Sequence, residues 1–160
     1  MDVVLRGMRA DDLDRVRSIL AYWNMAPTPA SPEVPNPELP FIPVDATIVA
    51  TVDGAVVGAG NYVLVGRGRG ETLSLAVDPA YRRAGIGTLL QTARLERMKA
   101  LGVTTVVTDA DRPETIDWYI RKFGYRVVGT RPKRHAFGLE GVDFWTVLEL
   151  DLRGWSPSPR

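Results

Sequence analysis

Residues 71–101 constrain this chain more than any other stretch. A strand-like run over 71–77 is stopped by Asp78-Pro79, passes through Ala80-Tyr81-Arg82-Arg83-Ala84-Gly85-Ile86-Gly87-Thr88, and enters a helical pattern that Gly102 terminates. Proline stops the strand because it has no N–H for a sheet ladder. Ile86, Leu89, Leu90, Ala93, Ala100 and Leu101 then share one helical face, interrupted by Arg97. A strand that turns directly into a helix requires a mixed α/β architecture. The turn has a chemical meaning too. The first amides of a helix lack internal partners and sit at the positive end of its dipole, so glycines at 85 and 87 with Arg82 and Arg83 beside them suit a phosphate. The spacing matches neither Gly-x-Gly-x-x-Gly nor a Gly-Lys-Ser/Thr loop.

Around this segment the remaining pattern predicts a short strand at 3–6 and a helix capped by Asp11 or Asp12, with Leu13, Val16, Leu20 and Trp23 along one face. Pro27, Pro29, Pro32, Pro35, Pro37, Pro40 and Pro43 follow too closely for regular structure, so 26–43 is a loop, either a surface excursion or a wall over a binding site. Residues 47–52 and 55–65 flank an Asp53-Gly54 hairpin turn, and Gly66-Arg67-Gly68-Arg69-Gly70 reverses the chain again. Further strands are expected at 103–108, 125–130 and 144–150, with a helix over 114–122 after Pro113. The class is a mixed-sheet α/β fold whose first half is antiparallel.

Composition removes several kinds of chemistry. A chain of 160 residues with 45% hydrophobic content builds one core, so one domain over 1–152 with a tail at 153–160 is expected. The net charge of +1 supplies no field toward nucleic acid or membrane, and zero cysteines with one histidine exclude thiol chemistry and disfavour a metal site. The N-terminal residues are too charged for a secretory signal and no apolar run reaches membrane-spanning length, so the expected location is cytoplasmic.

Arg82-x-x-Gly85-x-Gly87 after Leu75-Ala76-Val77-Asp78-Pro79, with Arg121-Lys122-Phe123-Gly124-Tyr125 later, resembles the signature of the GNAT N-acetyltransferase superfamily. The resemblance covers nearly the whole order of elements from Val3 to Leu150 and is weakest in the proline-rich stretch. It implies the GNAT acyl-CoA N-acyltransferase fold with splayed central strands, acetyl-CoA as cosubstrate, no metal, and a primary amine of a small molecule or peptide as acceptor. It assigns the coenzyme pyrophosphate to the backbone from Arg83 through Ala84, Gly85, Ile86 and Gly87 to Thr88, with Arg82 alongside. The pantetheine falls to backbone groups of Leu75, Ala76 and Val77, those of Leu75 and Val77 being left free by the splay. It also makes a homodimer plausible. A coenzyme-binding module without transferase activity, or a longer acyl donor, fits the same motif.

Transfer requires a base, because an amine with a pKa of about 10.4 is protonated at neutral pH. Glu71 opens the strand that carries the thioester, where the resemblance places a catalytic glutamate; the alternative is an exposed strand-end residue pairing with Arg67 or Arg69. A Leu75 amide would stabilise the thioester oxygen. The family's acidic tyrosine, four residues before Gly124, is replaced by Ile120, and an asparagine that often precedes this helix is missing near Pro113. Tyr119 points about 100° away on an α-helix, which leaves it a substitute acid or a packing partner of Trp118. Trp23, Asn24, Phe41, Asn61 and Tyr62 are expected around the acceptor by topology. His135, in Arg131-Pro132-Lys133-Arg134-His135, either meets an anionic acceptor or belongs to a solvated charged face, and Trp145 is assigned to the core or a subunit contact.

Overall fold

The computed structural model describes residues 1–25, 42–133 and 137–157. The expectations for Phe41, His135 and most of the proline-rich loop therefore lie outside the described residues. Seven strands form one sheet: β1 (Val3–Gly7), β2 (Thr47–Val52), β3 (Ala55–Gly66), β4 (Arg69–Val77), β5 (Thr105–Ala110), β6 (Arg126–Pro132) and β7 (Phe144–Asp151). Their order across the sheet is β1-β2-β3-β4-β5-β7-β6, antiparallel except for the parallel pair β4–β5. Helix α1 (Leu13–Tyr22) covers one face; α2 (Ile86–Ala100) covers the other, with α3 (Pro113–Trp118) beside it. Strand alternation sorts the core between them. Val49 packs with Val16, Ile19 and Leu20 of α1, while its neighbours Ile48 and Ala50 pack with Ile86 and Leu90 of α2.

Local chemistry explains most element ends. Asp53 and Gly54 both have positive φ, as do Arg67 and Gly68, so both hairpins close with two-residue turns whose twist matches the strands. The expected five-residue reversal at 66–70 is therefore shorter, with Gly66 in β3 and Arg69 and Gly70 in β4. Asp12 does not cap α1 directly; its carboxylate accepts from the Arg9 amide at 2.8 Å and from Arg6 at 2.7 Å, tying β1 to the short turn before the helix. These contacts, Arg6 foremost, hold the Asp12 carboxyl down at about 2.

Strand β5 starts two residues later than the pattern suggests. The Val103 amide bonds Met98 O and the Thr104 amide bonds Gly68 O, so both are consumed in the connection from α2. The face of α2 also differs from expectation: Ala100 and Leu101 are exposed, and the buried positions are Ile86, Leu90, Gln91, Arg94, Leu95 and Met98. Arg97 lies outside that stripe, and the arginine within it is Arg94.

The sheet parts in its middle. β4 and β5 pair only at Arg69↔Thr105, Gly70↔Val106 and Glu71↔Val107; beyond Glu71, β4 continues with β3 and β5 with β7. A bulge lies at the fork, where two steps from Gly60 to Tyr62 match three from Leu75 back to Thr72. Asn61 Oδ1 accepts from the Ser74 amide at 2.9 Å, satisfying a donor that the bulge removes from the ladder.

Candidate active site

At the outer end of the fork, Asp78 caps the turn after β4 by accepting from the Ala80 amide and pairs with Arg15 of α1; the amide bond first and Arg15 second lower its carboxyl pKa. The chain then takes positive φ at Arg83 (63°) and Gly85 (75°) before α2 begins. The ladder bond from Leu89 N to Gly85 O leaves the Ile86, Gly87 and Thr88 amides ahead of it, as at any helix start. A Cβ built at Gly85 or Gly87 would meet nothing within 4 Å. This mouth is open, with exposed Arg82, Arg83 and Ala84 at its edge.

From Gly87 a cavity of about 470 Å³ runs between the parted strands. One wall is Thr72 to Val77 of β4, the other Thr108, Asp109 and Ala110 of β5, and Thr115, Trp118 and Tyr119 close the inner end. Leu75, Ala76 and Val77 all line it, although the Ala76 side chain is buried in the α1 cluster. Val77 departs from expectation, because its carbonyl already accepts from the Trp23 indole N–H at 2.9 Å. Trp23 lies past the end of α1, with the Arg82 and Arg112 guanidinium carbons 4.8 and 5.5 Å from its ring centre. A carbonyl has two lone pairs, so one acceptor direction at Val77 remains.

Tyr119 does face the cavity, and the reason lies in the helix. Residues Tyr119–Phe123 form a π turn, closed at Gly124 with φ 83°. A π turn holds one residue more than an α turn, so it absorbs the extra residue between Tyr119 and Gly124. Tyr119 is thus buried at the cavity wall, while Ile120 is 38% exposed. The packing reading holds as well, since the Trp118 and Tyr119 rings lie 5.0 Å apart. The Tyr119 hydroxyl accepts from Arg94 Nη2 at 3.1 Å.

Glu71 occupies the last paired rung before the strands part, half-buried and just outside the cavity lining. Asp109 lines the cavity two residues beyond Glu71's rung partner, with Arg131 Nη2 3.0 Å from its Oδ1. Burial raises the Asp109 carboxyl above its ordinary range, Arg131 opposes this, and the Glu71 charge adds to it. Asn61 and Tyr62 do not reach the cavity: Asn61 serves the bulge, and Tyr62 packs with Leu95 and Met98.

The roof comes from two loops. Asn24 and Gly138 exchange bonds, Gly138 N to Asn24 O and Asn24 Nδ2 to Gly138 O, both at 3.0 Å. Lys133 and Asp111 form a buried pair at 2.7 Å that grips the 137–139 backbone, and Lys133 Nζ lies 4.4 Å from the centre of the Trp145 ring. Within the charge run Lys133 is therefore not a solvated side chain, and Trp145 is a cavity residue rather than plain core. Sequence reasoning passed over Arg94 and Asp109. Arg94 stands four residues from both Leu90 and Met98, a buried helical spacing that signals it in retrospect; Asp109, ending a β-branched strand, carries no such signal.

A parted mixed sheet with an open helix start at its fork is the layout of a coenzyme-dependent acyltransferase. The model of the acetyltransferase (GNAT) family matches residues 16–125, and the chain belongs to that family. Solved structures share the fold. Ard1 from Thermoplasma volcanium is 19% identical with a TM-score of 0.72, covering 94% of this chain and 98% of its own. The ribosomal-protein-S18-alanine N-acetyltransferase from Escherichia coli is 16% identical with a TM-score of 0.70, covering 99% of each chain. The yncA protein from Salmonella typhimurium, solved with acetyl-CoA, is also 16% identical with a TM-score of 0.70 and 99% coverage of each chain. No curated protein matches the sequence. Among the described residues no helix is long and apolar enough to cross a membrane, and no group of three or more His, Cys, Asp or Glu is placed to hold a metal.

Proposed function

We propose that this acetyltransferase moves an acetyl group from acetyl-CoA to a primary amine of a small molecule or peptide by direct attack within the β4–β5 cleft. The observation that carries this reading is the single cavity joining the open amides at Gly87 to Tyr119 and Asp109. Backbone amides from Arg83 to Thr88 hold the pyrophosphate with Arg82 alongside, and the cleft-facing backbone groups of Leu75 and Val77, on either side of Ala76, hold the pantetheine amides, the Val77 carbonyl through the acceptor direction that Trp23 leaves open. Bound acetyl-CoA supplies an activated acetyl thioester. Residues 1–152 act as one catalytic unit.

The chain's own residues move the protons. Glu71, directly or through a water, takes the proton that an ammonium must lose before its lone pair can attack, worth about a hundred- to ten-thousandfold. Asp109 places a second carboxylate near Glu71, and the two together draw a cationic amine to the fork. The Leu75 amide stabilises the thioester oxygen as negative charge builds there. Tyr119 gives its hydroxyl proton to the departing sulfur. The test is thiol release from acetyl-CoA with a panel of free α-amine peptides, lysine-bearing peptides and aliphatic diamines, with products weighed by mass spectrometry. An acetylated amine from any member supports the reading; coenzyme binding without transfer to any of them would leave a binding module.

A further inference from the structure

Arg94 has no exposed surface and, among the described residues, no carboxylate partner. Its Nε donates to Gln91 Oε1 at 2.7 Å, Nη1 to the carbonyls of Asn61 (3.1 Å) and Ser74 (2.9 Å), and Nη2 to the Tyr119 hydroxyl at 3.1 Å. Every partner is neutral. Burying a guanidinium among neutral groups is costly, and an apolar side chain of similar volume fills such a site more cheaply, so packing does not account for it.

Donor geometry gives the account. Arginine has only donors, so the Tyr119 oxygen is the acceptor in their contact and its own hydrogen must point elsewhere. Tyr119 lines the cavity, and the same arginine fixes the two carbonyls at the β4 bulge. Gln91, held by Arg94, donates in turn to the Tyr125 hydroxyl at 2.9 Å, which completes the support behind the Tyr119 ring.

We propose that Arg94 is a positioning residue for the acid step: it turns the Tyr119 proton into the cleft and holds a positive charge beside the oxygen that loses it. The inference rests on the transferase reading above. Glu71 passes the ammonium proton on to water and is ionised again when the neutral amine attacks. As the nitrogen bonds the acetyl carbon, its second proton passes to Glu71 and from there to solvent, and the C–S bond breaks. The sulfur takes the Tyr119 proton, and the phenolate left beside Arg94 regains one from water.

The experiment is a double-mutant cycle on turnover, with acetyl-CoA and the best amine of the panel above. Tyr119→Phe and Arg94→Met are each expected to lower kcat about a hundredfold. The acetyl-CoA KM stays within about twofold, and the double variant is no slower than the worse single one within the same margin, the usual accuracy of additivity. Arg94→Lys, which keeps the charge but not the fork of donors, recovers part of kcat. Losses that multiply, or a raised KM with kcat unchanged, overturn the proposal. Should Arg94→Met not fold, Gln91→Leu loosens Arg94 while leaving it in place; its kcat loss is expected to vanish in the Tyr119→Phe background, and an equal loss in both overturns the proposal. Wild-type protein that binds coenzyme A but acetylates no amine refutes the transferase reading instead.

Discussion

At its outer end the β4–β5 cleft presents backbone, the amides of residues 86–88, with open space where side chains at Gly85 and Gly87 would stand. At its inner end it presents side chains, Tyr119, Asp109 and Arg94, each held by a residue distant in sequence. The outer end needs only one turn of chain with the right conformational freedom. The inner end needs α2, the β4 bulge, β5 and the π turn to agree. On the proposed reading, the grip on a constant diphosphate would be a local property of this fold, whereas moving protons would be a property of its packing.

The sharpest way to separate the two ends is Glu71→Gln, which touches the chemistry and leaves the helix mouth intact. Turnover should fall about a thousandfold while coenzyme A affinity is unchanged. A parallel loss of affinity would show that the ends are not independent. Lys133→Met attacks the roof: it leaves the Asp111 carboxylate buried without its cation, and thermal or urea unfolding should register about 3 kcal/mol of lost stability. Unaltered stability would mean the 137–139 loop is held by other contacts.

Away from the cleft, the Arg6–Asp12 pair carries a pH signature. The Asp12 carboxyl is held at about 2, below its unfolded value, so its contribution is complete above about pH 4 and is lost as pH falls toward 2. Asp12→Asn should therefore narrow the stability gap between pH 5 and the acid range in unfolding titrations. An acid sensitivity identical to wild type would assign that loss to other groups. The smallest effect belongs to Arg82→Gln, an exposed charge at the mouth, which should weaken coenzyme A binding about two- to fivefold at low salt and less at high salt. A large, salt-insensitive loss would mean that side-chain charge, not backbone, dominates the grip.

The same contrast decides what the sequence made readable. Gly85, Gly87 and the Asp53-Gly54 turn announce themselves because positive φ and missing side chains are demands of single residues. Tyr119 was misdirected by α-helical geometry, since nothing local marks where a helix widens to a π turn. Arg94 was passed over because an arginine on a helix reads as solvent-facing, and only the Asn61 and Ser74 carbonyls of a bulged strand give it a buried partner set. Lys133 sat within an apparently solvated run until Asp111 met it across the β5–β6 ends. Asn61 and Tyr62 were placed on the correct strand, but the bulge and the α2 core claimed their side chains.

The backbone grip itself is the claim on which acetyl transfer depends, and calorimetric titration with coenzyme A, for wild type and for Gly87→Val, tests it most directly. The wild type should bind one coenzyme per chain, and the branched side chain, by cutting two charge-assisted bonds of about 1.5–3 kcal/mol each, should weaken binding at least about a hundredfold. No heat with the wild type, or equal affinity in the variant, would contradict it.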